Sequence, residues 1–90
     1  MKEADFEREV CDWCAAVGGI PLKLKLDNIR GFPDRTLLFR NGRIAFVELK
    51  TKKGKPSGNQ ELWVLRLRNL GFRVGICRTL DEVKRIAGLE

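Results

Sequence analysis

Three charged side chains near the middle of the chain have types and spacing that could perform hydrolysis. Glu48 and Lys50 end an otherwise apolar run with the composition of a strand. Alternate residues of a strand share a face, so Glu48 and Lys50 project together while Val47 and Leu49 point the other way. Asp34 is the natural second acid. A charged pair in apolar surroundings needs partners, so we interpret these residues as a candidate site.

The chemistry that this group suits is hydrolysis of a phosphodiester. That reaction needs an activated water and neutralised charge, which Mg²⁺ or Mn²⁺ held by carboxylates supplies. Asp34 and Glu48 are the predicted side-chain ligands, with the Leu49 carbonyl as a backbone ligand. Lys50 is predicted to orient water or to stabilise developing charge. The alternative is a set of structural ion pairs, which contribute little when exposed.

Positive charge is concentrated around this group. Residues 21–55 carry ten basic and three acidic side chains, whereas residues 1–20 carry two basic and five acidic ones. This distribution favours a polyanionic partner, because neutralising phosphates releases counterions, although a solvated basic face is the alternative. The predicted DNA contacts are Arg30, Arg35, Lys52, Lys53 and Lys55.

Composition narrows the class of protein. The 90 residues are expected to form one domain over 1–90, and 43% hydrophobic with 33% charged residues suits a globular fold. We expect a cytoplasmic protein, since the sequence contains neither a membrane span nor a signal peptide pattern. No small-molecule cofactor is expected. Three cysteines without any histidine are predicted to be buried structural thiols rather than zinc ligands.

Hydrophobic periodicity and turn residues predict a mixed α/β fold with a sheet flanked by helices, in the order α-β-β-β-α-β-α. The predicted elements are a helix over 3–17, strands over 20–26, 34–40 and 43–51, a helix over 58–70, a strand over 72–77 and a short helix from Leu80 to Ala87. The strand over 20–26 is expected to bury one face, with Pro21 at an edge. Residues 52–56 are expected to form a mobile basic loop.

The hairpin at Asn41-Gly42 decides whether the two acids meet. A two-residue turn would leave Asp34 and Glu48 on different faces of the sheet. A three-residue loop from Arg40 to Gly42, formed by a type I turn with a left-handed Gly42, would instead set Asp34 opposite Glu48. We predict the three-residue form.

The helix over 58–70 is apolar around more of its circumference than one core contact requires. Either the monomer covers both sides, or one side is an oligomer interface. The predicted interface residues are Leu62, Trp63, Leu65 and Arg66. Ser57 and Gln60 have the spacing of a capping box at its start.

These motifs resemble the PD-(D/E)xK nucleases, specifically the virus-type replication-repair nuclease (VRR-NUC) domain. That family has a glutamate in the first helix, a G-x-P-D segment, an E-x-K strand and a glutamine opening the next helix. Glu7, Asp34, Glu48, Lys50 and Gln60 occupy those places here. Glu3 is the alternative to Glu7, and a capping role is the alternative for Gln60.

The resemblance implies a restriction-endonuclease-like core and a Mg²⁺- or Mn²⁺-dependent deoxyribonuclease. It adds Glu7 and Gln60 to the catalytic residues and makes Glu7 a further metal ligand. Small members of this type resemble phage proteins that act as homodimers on branched DNA such as four-way junctions, in a phage or bacterial host cytoplasm. A non-catalytic basic module that binds nucleic acid within a larger assembly is the second hypothesis. A base-specific restriction enzyme is disfavoured, since little chain remains for base-reading loops.

Overall fold

Four strands form a mixed sheet that carries helices on both faces. The computed structural model describes residues 2–89. Its elements in order are α1 (Glu3–Ala16), β1 (Ile20–Leu22), β2 (Arg35–Leu38), a 3₁₀ turn (Arg40–Gly42), β3 (Ile44–Leu49), α2 (Gly58–Asn69), β4 (Arg73–Cys77) and α3 (Leu80–Ala87). The sheet order is β1-β2-β3-β4, with antiparallel pairs up to β3 and a parallel β3–β4 pair. The predicted mixed fold and element order are confirmed.

Alternation along the strands divides the core between the two faces of the sheet. Ala45, Val47 and Leu49 of β3 pack with side chains of α1 and α3. Phe46, between them, packs on the other face with Val64 of α2. β3 is therefore covered on both sides, and a charged residue on this strand lies deep in the molecule.

The prediction of a long first strand with one buried face is wrong. β1 has only three residues, and Ile20 is 56% exposed. The ladder ends where Leu22 pairs with Thr36, one residue short of the end of β2 at Arg35. The edge position predicted from Pro21 is confirmed, since β1 is the outermost strand at its end of the sheet.

The hairpin has the predicted loop length but not the predicted turn type. The Phe39 amide donates to the Arg43 carbonyl at 2.8 Å, which leaves three residues in the loop. Gly42 is left-handed as expected (φ +72°), but Asn41 is left-handed too (φ +64°), which a type I turn does not allow. Asparagine tolerates this conformation, so the loop closes with two successive left-handed residues instead of one.

Capping residues close the helix ends. Ser57 and Gln60 form the predicted capping box at the start of α2, and Thr79 and Glu82 form another at the start of α3. Gly18, at φ +85°, follows the end of α1. No helix within residues 2–89 is long and apolar enough to cross a membrane.

The cysteines are free thiols, and two of the three are buried as predicted. Cys14 and Cys77 lie in the core, where burial raises the pKa of Cys14 to about 11 and that of Cys77 to about 12. Cys11 is half-buried, and burial raises its pKa as well. Such protonated thiols are poor nucleophiles and poor metal ligands.

Candidate active site

Glu48 lies at the carboxyl end of β3 and is 1% exposed. The Lys50 ammonium lies 3.5 Å from Glu48 Oε2, so the predicted shared face is observed. The Lys50 amide donates to the Cys77 carbonyl at 3.0 Å, which extends the β3–β4 ladder past Glu48. Backbone pairing on the parallel strand therefore fixes the position of both charged residues.

Asp34 reaches the same end of β3 from the neighbouring strand. The observed register pairs Arg35 with Val47, and continuing it by one residue sets Asp34 opposite Glu48. The Asp34 Oδ2 atom accepts a hydrogen bond from the Leu49 amide at 2.9 Å. This bond orients the Asp34 carboxylate beside the predicted ligand carbonyl of Leu49.

Gln60 serves both the helix cap and the acidic group. Its Oε1 accepts from the Ser57 amide at 2.8 Å, while its Nε2 donates to Glu48 Oε2 at 2.8 Å. The two alternatives considered for this residue are therefore compatible. The start of α2 is connected to Glu48 through one amide group.

The loop that carries Asp34 is seated on the first turn of α2. Gly31 adopts φ +82°, and a Cβ there would lie 2.6–2.7 Å from atoms of Asn59 and from the Gln60 amide. Phe32 makes edge contacts with the rings of Phe46 and Trp63, at centroid distances of 5.6 and 5.3 Å. The G-x-P-D segment thus needs glycine for close approach and phenylalanine for anchoring.

Ionised Glu48 is unfavourable beside Asp34 even with the Lys50 ammonium nearby. Burial and then the adjacent Asp34 carboxylate raise the pKa of Glu48 to about 7, against a smaller lowering by Lys50. Glu48 Oε1 is buried, and no hydrogen-bond partner for it occurs in the described part of the chain. An orphaned carboxylate oxygen beside a second carboxylate is a suitable ligand set for a hard divalent cation.

Asp34 and Glu48 form a pair of acids rather than a complete ligand cage. Within residues 2–89, no cluster of three or more acidic, cysteine or histidine side chains is arranged for a metal. Mg²⁺ is commonly bound by one or two carboxylates, with water and substrate phosphate filling the other positions. The residues present therefore fit such an ion.

Glu7 is engaged elsewhere in this structure. Its Oε2 lies 2.7 Å from Arg35 Nε and 3.6 Å from Lys23 Nζ. Arg35 also donates to the Pro21 carbonyl at 3.2 Å. These contacts tie α1 to β1 and β2, so two residues predicted for the site, Glu7 and Arg35, pair with each other.

The basic segment after β3 leaves its lysines exposed, while its backbone is held in place. Lys52, Lys53 and Lys55 are all exposed. Arg78 Nη1 donates to the carbonyls of Thr51, Lys52 and Gly54, an anchor that the prediction of a mobile loop missed. The contact follows from the parallel β3–β4 pair, because the carboxyl ends of two parallel strands lie at one edge of a sheet. Arg30, in the loop before Asp34, is also exposed.

The four residues predicted for an oligomer interface divide into two kinds. Leu62 and Leu65 of α2 are 42% and 52% exposed. Trp63 packs on Phe32, and the Arg66 guanidinium lies 5.4 Å from the centre of the Trp63 ring. The two leucines are therefore the exposed apolar residues among these four.

Comparison with known proteins shows the family of this chain. A solved structure described as a VRR_NUC domain superimposes with a TM-score of 0.84 at 26% identity, covering 96% of this chain and 94% of the other. "Putative nuclease p44" of Acyrthosiphon pisum secondary endosymbiont phage 1 is 33% identical over 81 residues, which are 90% of this chain and 87% of that protein. The VRR-NUC domain family matches residues 23–80, which include Asp34, Glu48, Lys50 and Gln60. The chain belongs to the VRR-NUC family of nuclease domains.

Proposed function

We propose that the chain is a Mg²⁺- or Mn²⁺-dependent endonuclease that hydrolyses phosphodiester bonds in branched DNA such as four-way junctions. The observation that carries the proposal is the acidic pair of Asp34 and Glu48, with a buried, unpartnered Glu48 Oε1 among the described residues and the Lys50 ammonium 3.5 Å from Oε2. Folding alone gives no reason to keep two carboxylates together at this depth.

Asp34 and Glu48 would hold the divalent ion, with the Leu49 carbonyl as a further ligand. When bound, the ion supplies charge neutralisation at the phosphate and lowers the pKa of a water molecule. Gln60 and the Leu49 amide keep the two carboxylates in position through hydrogen bonds of 2.8 and 2.9 Å. The positions of both acids are therefore set before substrate arrives, which favours catalysis.

Lys50 acts on the reacting phosphate in this proposal. A compact ammonium beside the acids stabilises negative charge as water attacks phosphorus and the sugar oxygen leaves. Glu7 contributes only after exchanging its Arg35 and Lys23 partners, so we assign it a secondary role. Because of these contacts, Arg35 contributes less to DNA binding than Arg30 and the three exposed lysines.

A homodimer would suit a symmetric DNA junction, and we propose the exposed leucines of α2 as part of its interface. Replacing Leu62 and Leu65 together by serine should lower the mass measured by light scattering from dimer to monomer. An unchanged dimeric mass would mean that the interface lies elsewhere on the protein. The DNA substrate makes the cytoplasm of a bacterial host the proposed compartment.

Cleavage of duplex, flap and four-way junction DNA tests the function. Wild-type protein should cut the junction with Mg²⁺ or Mn²⁺ and stop cutting in EDTA. Asp34→Asn and Lys50→Ala should abolish cleavage while leaving junction binding largely intact, and the matched control Glu9→Gln, at an exposed position of α1, should cut normally. If wild-type protein binds all three DNAs with Mn²⁺ present and cuts none, a non-catalytic binding module becomes the better account.

A further inference from the structure

Arg78 is placed by the sheet next to the basic segment that follows β3. β3 and β4 run parallel, with Leu49 paired to Cys77. Lys50 and Arg78 are the residues that follow these two, so the chain leaves both strands at the same edge. Arg78 is therefore 26 residues from Lys52 in sequence and adjacent to it in space.

One guanidinium holds the backbone of this segment. Arg78 Nη1 donates to the Gly54 carbonyl at 2.7 Å and to the Lys52 carbonyl at 3.3 Å, and it also bonds the Thr51 carbonyl. The Gly54 amide donates to the Thr51 carbonyl at 3.1 Å, which closes the turn. A guanidinium nitrogen carries two hydrogens, so one N–H group of Nη1 is shared between two of the three carbonyls.

The contact also controls the electrostatics of the segment. The carbonyl oxygens carry the negative ends of the peptide dipoles, and three of them point at a cation instead of outward. Lys52 and Lys53 line a cavity of about 430 Å³ together with Thr51, Arg78 and Phe6. The surface offered to an approaching phosphate is thus cationic, and its backbone is already ordered.

We infer that Arg78 is a positioning residue that fixes the turn after β3 so that Lys52 and Lys53 contact DNA phosphates. The inference rests on the proposed function, because it assumes that the substrate is DNA. An ordered turn loses less conformational entropy on binding than a free one, so affinity depends on Arg78 even though the lysines make the contacts.

A double-mutant cycle tests whether Arg78 acts through the lysines. Junction binding is measured for Arg78→Gln, for the double variant Lys52→Ala/Lys53→Ala and for their combination, all carrying Asp34→Asn to prevent cutting. We expect about a tenfold loss of affinity for Arg78→Gln alone. Once the two lysines are absent, adding Arg78→Gln should cost less than about twofold. Arg8→Gln, at an exposed position of α1, removes the same charge and should have little effect.

The salt dependence and the kinetics provide readouts that a merely structural role would not move. Arg78→Gln should flatten the salt dependence of binding to the extent that the lysine double variant does. In the cutting-competent protein, it should raise KM for the junction and leave kcat close to that of wild type. Arg78→Lys keeps the charge and gives a second cycle if Arg78→Gln does not fold, which thermal unfolding reports.

Several outcomes would overturn the inference. Additive losses would mean that Arg78 contacts DNA itself, and equal effects of Arg78→Gln and Arg8→Gln would mean that only net charge matters. Full affinity in the lysine double variant would remove the role of the turn altogether. The two proposals separate cleanly: a coupled cycle in a protein that cuts nothing leaves the inference standing, whereas additive losses in an active nuclease reject the inference alone.

Discussion

Replacing Glu48 by glutamine should stabilise the metal-free protein at alkaline pH and remove most of the stability that Mg²⁺ or Mn²⁺ adds. Glu48 is almost fully buried, and one of its carboxylate oxygens has no hydrogen-bond partner among residues 2–89. Glutamine has nearly the same shape and still offers Gln60 an oxygen acceptor. The substitution therefore removes the charge while keeping the packing.

The magnitude follows from the pKa of Glu48, which rises from 4.5 to about 7 through burial and the Asp34 carboxylate. The folded state holds this proton more tightly than the unfolded state does. The wild-type protein consequently loses stability as the pH rises from about 4.5 through about 7, and the loss is complete above that. Each factor of ten in proton affinity corresponds to about 1.4 kcal/mol, so the full loss is about 3 kcal/mol.

Urea and thermal unfolding of both proteins in EDTA, at pH 5 and at pH 8, measure this difference. The two free energies of unfolding should be similar at pH 5. At pH 8 the Glu48→Gln protein should be more stable by about 3 kcal/mol, which for a chain of this size corresponds to a Tm higher by on the order of 10 °C. The variant should also lack the wild-type loss of stability between these two pH values.

The same unfolding measurements with added Mg²⁺ or Mn²⁺ at pH 8 test the effect of the metal on stability. An ion that binds only the folded state raises the stability of wild type with concentration, whereas Glu48→Gln should respond weakly because one ligand charge is gone. Glu9→Gln, at an exposed position, is the matched control and should behave as wild type in both arms. Parallel pH profiles for wild type and Glu48→Gln would refute the reasoning, because they would mean that ionised Glu48 is not destabilising in the fold.

Three further predictions concern residues that support the site. Gly31→Ala should lower the free energy of unfolding, measured in urea, by more than about 2 kcal/mol, because it combines a positive φ with a clash against α2. Gly42→Ala also has a positive φ but meets no atom within 4 Å, so it should lower that free energy by only about 1 kcal/mol. Ser57→Ala should reduce stability by about 1 kcal/mol through the lost cap and keep kcat, whereas Gln60→Ala should reduce stability similarly and lower kcat as well. Thr36→Val should raise the free energy of unfolding by about 1 kcal/mol, because the buried Thr36 hydroxyl finds no partner in the described chain. An unchanged or lower stability for that variant would mean that a water molecule satisfies the Thr36 hydroxyl.

Local patterns were sufficient to predict most of the elements. The helix ends are specified by residues close in sequence, such as Ser57 with Gln60 at the start of α2. The length of β1 is different, because it depends on pairing with β2, a strand more than ten residues away in sequence. Alternating leucines beyond Leu22 have the pattern of a strand, yet no strand within residues 2–89 pairs with them.

The contacts that escaped prediction join residues distant in sequence. Arg35 was expected on DNA and instead pairs with Glu7, 28 positions earlier. Arg78 belongs to no sequence motif, although it holds three carbonyls of the basic segment. Spacing within one element does not contain this information, since it arises only when the sheet order brings separate loops to one edge.

The hairpin shows how the site constrains the fold beyond what stability requires. β3 is apolar on both faces, so alternation alone specifies its register with β2 weakly. A slip by one residue would place Arg35 opposite Glu48 and relieve the buried acid with an opposite charge. The observed loop, closed by Phe39 and left-handed at Asn41, sets Asp34 opposite Glu48 instead. The observed register is thus the electrostatically worse one for an isolated protein, and it is the one that the proposed divalent cation would favour.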